Sequence, residues 1–314
     1  MVSVGSRPWG VLPDPESERV VIALEHAIEV WDLAASARLR RIEGAFDPKL
    51  VSRGVALVAG RSDGALHFVP LDPAEPVVSA ERSGRLLTDV VPIDEGFVVG
   101  DWNGRVTMRD ARGSVVRTLY TREEPRKPVR VTAIDRERAL LHGAGLVPVV
   151  VRLADGAIER TLRVNKDAGT DQVLRVDDAQ VLVYAAPNEA VLLSLETGKK
   201  LWRVKAKQQA HAGALRFGHF LIGNRNGLYL IDLETGVPKA QIATGSVDVL
   251  ADVIDGRAFG VTGDYQGVAV YGPSGVLASA PSGHAERIAH ARTHPTKARA
   301  FTWSHDGTVA VWEL

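Results

Sequence analysis

Cysteine is missing from the chain altogether. Its absence excludes disulfides, thiolate metal ligands, a cysteine nucleophile and a lipid-anchor cysteine. An excess charge of either sign is missing too. Lys plus Arg and Asp plus Glu each total 38, so the formal net charge is zero, and no global pull toward nucleic acid or an acidic membrane operates. No run approaches the roughly 18 apolar residues of a spanning helix. The opening stretch, MVSVGSRPWGVLPDPESERV, lacks the apolar core of a signal peptide. A cytoplasmic protein without membrane contact is therefore expected. Catalytic signatures are equally scarce: there is no G-x-S-x-G, no H-E-x-x-H, no P-loop and no G-x-G-x-x-G opening a helix. Nor does a 3.6-residue apolar period persist for ten residues, which argues against alternating strands and helices.

What is present is ample apolar material, 45% of 314 residues, and a repeat. Turn dipeptides between two apolar runs fall at Glu25-His26, Asp63-Gly64, Asn103-Gly104, Ala144-Gly145, Asn188-Glu189, Asn226-Gly227, Gln266-Gly267 and Asp306-Gly307. Their second residues are 38, 40, 41, 44, 38, 40 and 40 positions apart, the spacing of four-stranded propeller blades. In the third unit LTDVVPI alternates, EGFVVGD follows, Asn-Gly turns the chain, RVTMRD runs back and SVVRTLY makes a fourth run. Asn-Gly and Asp-Gly fit a type I′ hairpin, which takes positive φ at both central residues. The fold expected is all-β: an eight-bladed β-propeller of four-stranded blades in a single domain, residues 1–314, with seven blades as the alternative count. The last unit ends at TVAVWEL, after its third strand, while VSVGS at the start belongs to no unit. Residues 2–6 are thus expected to supply the outer strand of the last blade and close the ring.

The eighth unit, SGHAERIAHARTHPTKARAFTWSHDGTVAVWEL, resembles a WD repeat. Gly283-His284 opens it, Asp306-Gly307 makes its turn and Trp312-Glu313 ends it. The first unit resembles one through AIEVWDL, with Trp31-Asp32. The resemblance implies a hydrogen-bonded structural tetrad matched by His284, Thr302 or Ser304, Asp306 and Trp312. SLETGKKLWRV and DLETGVPKAQI are similar to quinoprotein repeats, in which Thr-Gly turns between outer strands. Quinone enzymes of that kind are exported and hold calcium with carboxylates. Neither an export signal nor a matching acidic cluster is visible, so no cofactor is expected. A plain hairpin that needs Gly explains both turns.

Candidate chemistry is otherwise local. His290 and His294 in HARTH have the i, i+4 spacing of helical zinc ligands, near His284 and His305. On a strand rising about 3.3 Å per residue they would stand roughly 13 Å apart, so no metal site is expected. The run KKLWRVKAK holds Lys199, Lys200, Arg203, Lys205 and Lys207 and no acid. It reads first as the charged guard of an edge strand, with a phosphate backbone or acidic partner as the competing use. TREEPRKPVR, residues 121–130, reads as an exposed, partly stiff loop and a solvated contact surface. The tips of the second-to-third-strand turns are Ser62, Trp102, Arg225 and Tyr265. In a propeller these tips ring one face, and in an eight-bladed one Trp102 and Tyr265 would oppose each other across the channel mouth. Trp, Tyr and Arg are the residues most enriched at binding hot spots. The function expected is a non-catalytic interaction scaffold, monomeric on its own, that binds another protein. An enzyme or small-ligand binder using the central channel is the alternative.

Overall fold

The computed structural model describes residues 1–44, 46–52, 54–60, 64–80, 86–123, 127–162, 164, 170–185, 189–205, 212–216, 218–252, 257–263 and 265–314. Every regular element in it is a strand, arranged as eight four-stranded antiparallel sheets. Seven of the sheets use consecutive strands, and the eighth takes its outer strand from the N-terminus. The chain is an eight-bladed β-propeller, and the seven-blade count is excluded. Among the described residues no helix is long and apolar enough to cross a membrane.

Blade 1 runs Pro8–Pro13, Arg19–Leu24, Ala27–Asp32 and Ala37–Glu43, and blade 3 runs Leu87–Ile93, Gly96–Asp101, Arg105–Asp110 and Val115–Thr121. The middle two strands are buried on both faces, as in RVVIAL and AIEVWD of blade 1. Hence they read as continuous apolar runs rather than alternating ones. The fourth strands face solvent, as in ARLRRIE and VVRTLYT, and mix charge with single apolar residues.

Within each compact unit the core lies between adjacent blades. By packing, the chain divides into two compact units: residues 1–59, 67–78 and 210–314 form one, and residues 60–66 and 79–209 the other. In the second unit Val98 and Val106 of blade 3 meet Leu141 and Val151 of blade 4. Blade 4 in turn packs Leu140 and Val150 on Val183 and Val191 of blade 5. In the first unit Val20 and Ile22 of blade 1 pack on Phe301 and Trp303 of blade 8. Val261 and Val268 of blade 7 do the same from the other side, on Ile288 and Ala300. Within each unit, neighbouring blades thus bury their apolar faces against each other.

Ring closure is shorter than expected. Blade 8 comprises Ile288–Thr293, Arg299–Ser304 and Thr308–Glu313, with Val2–Ser3 as its fourth strand. Val2 pairs with Val309 and Ser3 with Thr308, and the Val4 N–H donates to the Gly307 carbonyl at 2.9 Å. Residues 5 and 6 lie outside the strand, because Gly5 takes φ +73° and turns the chain away toward blade 1. Val4 is buried in the cluster shared by blades 8 and 1.

Candidate functional site

Trp102 stands at the tip of the turn between the second and third strands of blade 3. The turn is not the type I′ hairpin that Asn103-Gly104 suggests. The connection is three residues long, 102–104, and only Gly104 has positive φ, +84°. Asp101 explains the difference. Its Oδ1 accepts the Asn103 and Arg105 N–H groups, both at 2.9 Å, while its carbonyl accepts the Gly104 N–H at 3.2 Å. These bonds hold a type I-like bend that the left-handed glycine completes.

Both flanking connections then clamp the turn. The Trp102 N–H donates to the Leu86 carbonyl at 2.8 Å on one side. On the other, the Arg122 N–H donates to Gly104 at 3.0 Å and the Val129 N–H to Asp101 at 3.4 Å. The backbone is therefore held on both sides, yet Trp102 keeps 49% of its surface in solvent. Beside Gly104 the Arg122 side chain passes the turn, and its guanidinium reaches blade 4, whose second and third strands are Arg138–Gly143 and Leu146–Arg152. There Nη1 donates to the Ala144 carbonyl at 3.0 Å and Nη2 to Gly145 at 2.8 Å. A Cβ added at Gly145 would stand 3.4 Å from Arg122 Nη2 and 3.6 Å from Lys127 Nζ, which places both cations at one turn.

The other expected tip residues lie in different surroundings. Arg225 is exposed in a two-residue turn between His219–Asn224 and Gly227–Asp232 of blade 6, where Asn224 Oδ1 accepts the Asn226 N–H at 2.8 Å. Tyr265 is half-buried in the turn of blade 7, in contact with the cluster shared by blades 7 and 8. It has φ +68°, a conformation rare for a non-glycine residue. Asp248 Oδ2 accepts its N–H at 3.1 Å, and the Arg287 guanidinium lies 4.3 Å above its ring. Ser62 lies outside the described residues.

The tetrad positions of blade 8 do come together. Trp312 Nε1 donates to Thr302 Oγ1 at 2.9 Å, and Thr302 Oγ1 lies 2.9 Å from His284 Nε2. His284 Nδ1 meets Thr308 Oγ1 at 2.6 Å, and the Thr308 hydroxyl donates to Asp306 Oδ1 at 2.5 Å. Since Thr308 spends its proton on the carboxylate, Nδ1 is the ring's donor and Nε2 its acceptor. The relay thus runs in one direction from indole to carboxylate. Burial holds the imidazole below its usual pKa, opposed by the Asp306 carboxylate 3.9 Å away. Burial also raises the Asp306 pKa, but donors from Thr308, Ala285 and Glu286 outweigh it and leave the pKa lowered.

Of the two candidate hydroxyls Thr302 is the member. Ser304 instead donates to the Glu286 and Arg287 carbonyls at 3.1 and 3.0 Å. Thr308, two residues past the turn Asp, was not singled out by the motif. Blade 1 solves the same problem differently. Trp31 Nε1 donates to Glu29 Oε2 at 2.8 Å, and Glu29, fully buried, receives Arg38 at 2.8 Å and Arg41 at 2.7 Å. The alternation Glu29-Val30-Trp31 was the available signal, because i and i+2 share a strand face.

Lys199, Lys200 and Lys205 are exposed on or beside the outer strand Lys200–Lys205 of blade 5, and Arg203 pairs with Glu189 of the adjacent strand. An acid from the third strand thus offsets a run that looks purely basic in sequence. Lys207 lies outside the described residues. His290 lies on the strand Ile288–Thr293 and stacks on Trp303 at 5.4 Å. His294 just beyond it accepts the Thr296 and Lys297 N–H groups, both at 3.1 Å. Among the described residues no group of three or more His, Asp or Glu side chains could hold a metal ion. Both Thr-Gly turns are plain hairpins with Gly198 at φ +69° and Gly236 at +71°.

No family model and no curated protein matches the sequence. Solved structures do. A computationally designed protein, Ika8, superimposes with a TM-score of 0.81 at 14% identity, over 100% of this chain and 99% of that one. BamB from Moraxella catarrhalis gives 0.73 at 15%, over 100% and 99%, and Saccharomyces cerevisiae Sqt1 gives 0.78 at 12%, over 98% and 96%. At such identities the likeness establishes the fold alone.

Proposed function

We propose that this chain is a non-catalytic interaction scaffold of WD-repeat-like type, which presents the second-to-third-strand turns of its blades to another protein. The observation that carries the reading is Trp102. Its turn is clamped by backbone hydrogen bonds to both flanking connections, and the residue is still half in solvent. Holding a rigid turn does not require a large apolar ring at its tip. An exposed aromatic on a turn held from both sides is what a hot spot needs, since little entropy is lost when a partner covers it. The complete tetrad in blade 8 supports the WD-like part of the reading, and the full-length fold likeness fits a scaffold.

The test is a pull-down from the native host with the intact protein, its Trp102→Ala variant and a Trp102→Ala, Tyr265→Ala double variant. A hot-spot loss of about 2 to 4 kcal/mol corresponds to a drop in affinity of roughly 30- to 1,000-fold. A captured protein should therefore disappear from the Trp102→Ala eluate. Retention of every partner by the double variant would overturn the reading.

A further inference from the structure

We infer that the chain pairs with a second copy of itself along the outer strand of blade 7, in place of the monomer expected from the sequence. The inference goes beyond the scaffold reading and does not depend on it.

Blade 7 runs Val247–Asp252, Ala258–Thr262, Gly267–Gly272 and Gly275–Pro281, and among the described residues no strand lies on the far edge of the last. Such an edge presents unpaired backbone N–H and C=O groups, which folded chains shield with charge, with bulges or by keeping the strand short. The other blades use charge or length. The outer strands ARLRRIE, VVRTLYT, IERT, KLWRVK and PKAQIAT of blades 1, 3, 4, 5 and 6 all carry arginine or lysine, and those of blades 2 and 8 have two residues each. In blade 7 the strand reads GVLASAP, seven residues without a charge. Residues 265–285 contain no Asp, Glu, Lys or Arg at all. Residues 276–281 are exposed, Val276 at 52% and Leu277 at 58%. What shielding the strand has sits at its ends: a bulge at Leu277, where the register shifts between Val270 and Tyr271, and Pro281, which has no N–H to offer.

The hydrogen-bond phase of the strand selects its occupant. The Ser282 N–H donates to the Gln266 carbonyl at 2.9 Å. Antiparallel pairing alternates, so Ala280 and Ala278 turn their backbone groups toward the third strand and Ser279 turns its own outward. A two-fold axis at Ser279 lets the two copies of that residue exchange both N–H to C=O bonds. The same register sets Ala278 opposite Ala280 and Leu277 opposite Pro281 of the second copy, small or apolar side chains throughout. No like charges meet, as they would if KLWRVK paired with itself and set Lys200 opposite Lys205. A charged segment from another protein would find no counter-ion on this edge. The contact uses one strand on both copies, so it is isologous and closes at a dimer.

The experiment is analytical ultracentrifugation of the full chain across roughly 1 to 200 μM. The mass should rise with concentration from 33.8 kDa toward twice that value and stop there. Ser279→Lys sets two lysines across the axis and should weaken the dimer at least tenfold. Ser279→Pro removes the outward N–H without adding charge and should weaken it likewise. Val116→Lys, which adds the same charge at an exposed position of the outer strand of blade 3, should leave it unchanged. Circular dichroism checks that each variant is folded. Since the chain has no cysteine, Ser279→Cys supplies a sole thiol, which a short bismaleimide should join to that of the second copy, whereas Val116→Cys should stay uncoupled. A monomer at every concentration, or assembly that continues past the dimer, would overturn the inference. So would a dimer that Ser279→Lys and Ser279→Pro leave intact, or one that Val116→Lys weakens equally. Trp102→Ala should dimerise as the intact chain does, so loss of a host partner with that variant bears on the scaffold reading alone.

Discussion

Replacing Thr302 by Val tests the relay of blade 8 with little change of shape. Thr302 is fully buried, and its hydroxyl joins Trp312 Nε1 and His284 Nε2, each at 2.9 Å. Val keeps the branched side chain, so the loss comes from hydrogen bonding and not from a cavity. The His284 side chain has no exposed surface, so its acceptor nitrogen would be left unsatisfied, a loss of about 1 to 3 kcal/mol. The Trp312 ring is half-buried, so water recovers much of its bond and adds about 0.5 kcal/mol. A total of about 1.5 to 3.5 kcal/mol is expected in urea denaturation followed by tryptophan fluorescence. Hydrogen exchange should quicken in Arg299–Ser304 and Thr308–Glu313, where the opening is local. In a Trp312→Phe background, which already lacks the indole donor, the same substitution should have a smaller effect, and the difference is the coupling. Ser304→Ala is the control: it removes bonds to two carbonyls, lowers stability by about 1 kcal/mol and shows no coupling to Trp312→Phe. A loss under about 0.5 kcal/mol for Thr302→Val, with unchanged exchange in blade 8, would refute a hydrogen-bonded relay.

Glu29→Gln should lower the urea midpoint of blade 1 by the equivalent of about 2 to 4 kcal/mol, because the buried carboxylate holds Trp31, Arg38 and Arg41 together. An unchanged midpoint would mean that the arginines find water at no loss. Removing residues 1–7 takes away the outer strand of blade 8 and the buried Val4, so the melting temperature should fall. Equal melting of the truncated and intact chains would show that closure does not depend on this strand. His142 is held at a pKa of about 4, chiefly by burial and secondarily by the Arg130 charge. Its folded pKa lies below the unfolded one, so its contribution is complete above about pH 6.5 and is lost as the pH falls through about 4. That amounts to some 3 kcal/mol at acid pH, on the order of 1.4 kcal/mol per pKa unit. Thermal melts of the intact protein and of His142→Gln should diverge over this range, the variant losing less stability on acidification. Parallel curves would assign the acid sensitivity elsewhere.

How much was legible differs by level. The blade count and the strand order followed from the turn spacing. A blade must reverse the chain at fixed intervals, and glycine, asparagine and aspartate mark those reversals locally. The turn type was misread at Asn103-Gly104 because the dipeptide is compatible with two hairpins. The choice was made by Asp101, whose side chain caps the loop from the preceding strand. The tetrad was legible at His284, Asp306 and Trp312. Thr302 and Ser304 could not be told apart, since both lie on the same face of one strand and only their neighbours across the sheet distinguish them.

The sequence by itself determined what depends on neighbours along the chain: an all-β repeat, eight reversals, a zero net charge and the absence of thiol chemistry. Tertiary structure alone decided what depends on neighbours in space. It offset Arg203 with Glu189 from the next strand, buried Glu29 between two arginines, and folded Tyr265 under Arg287. It left Trp102 standing out of a turn clamped by both flanking connections. A strand displays its residues by alternation, but the charge or ring each one meets is set by the adjacent strand and blade, tens of residues away.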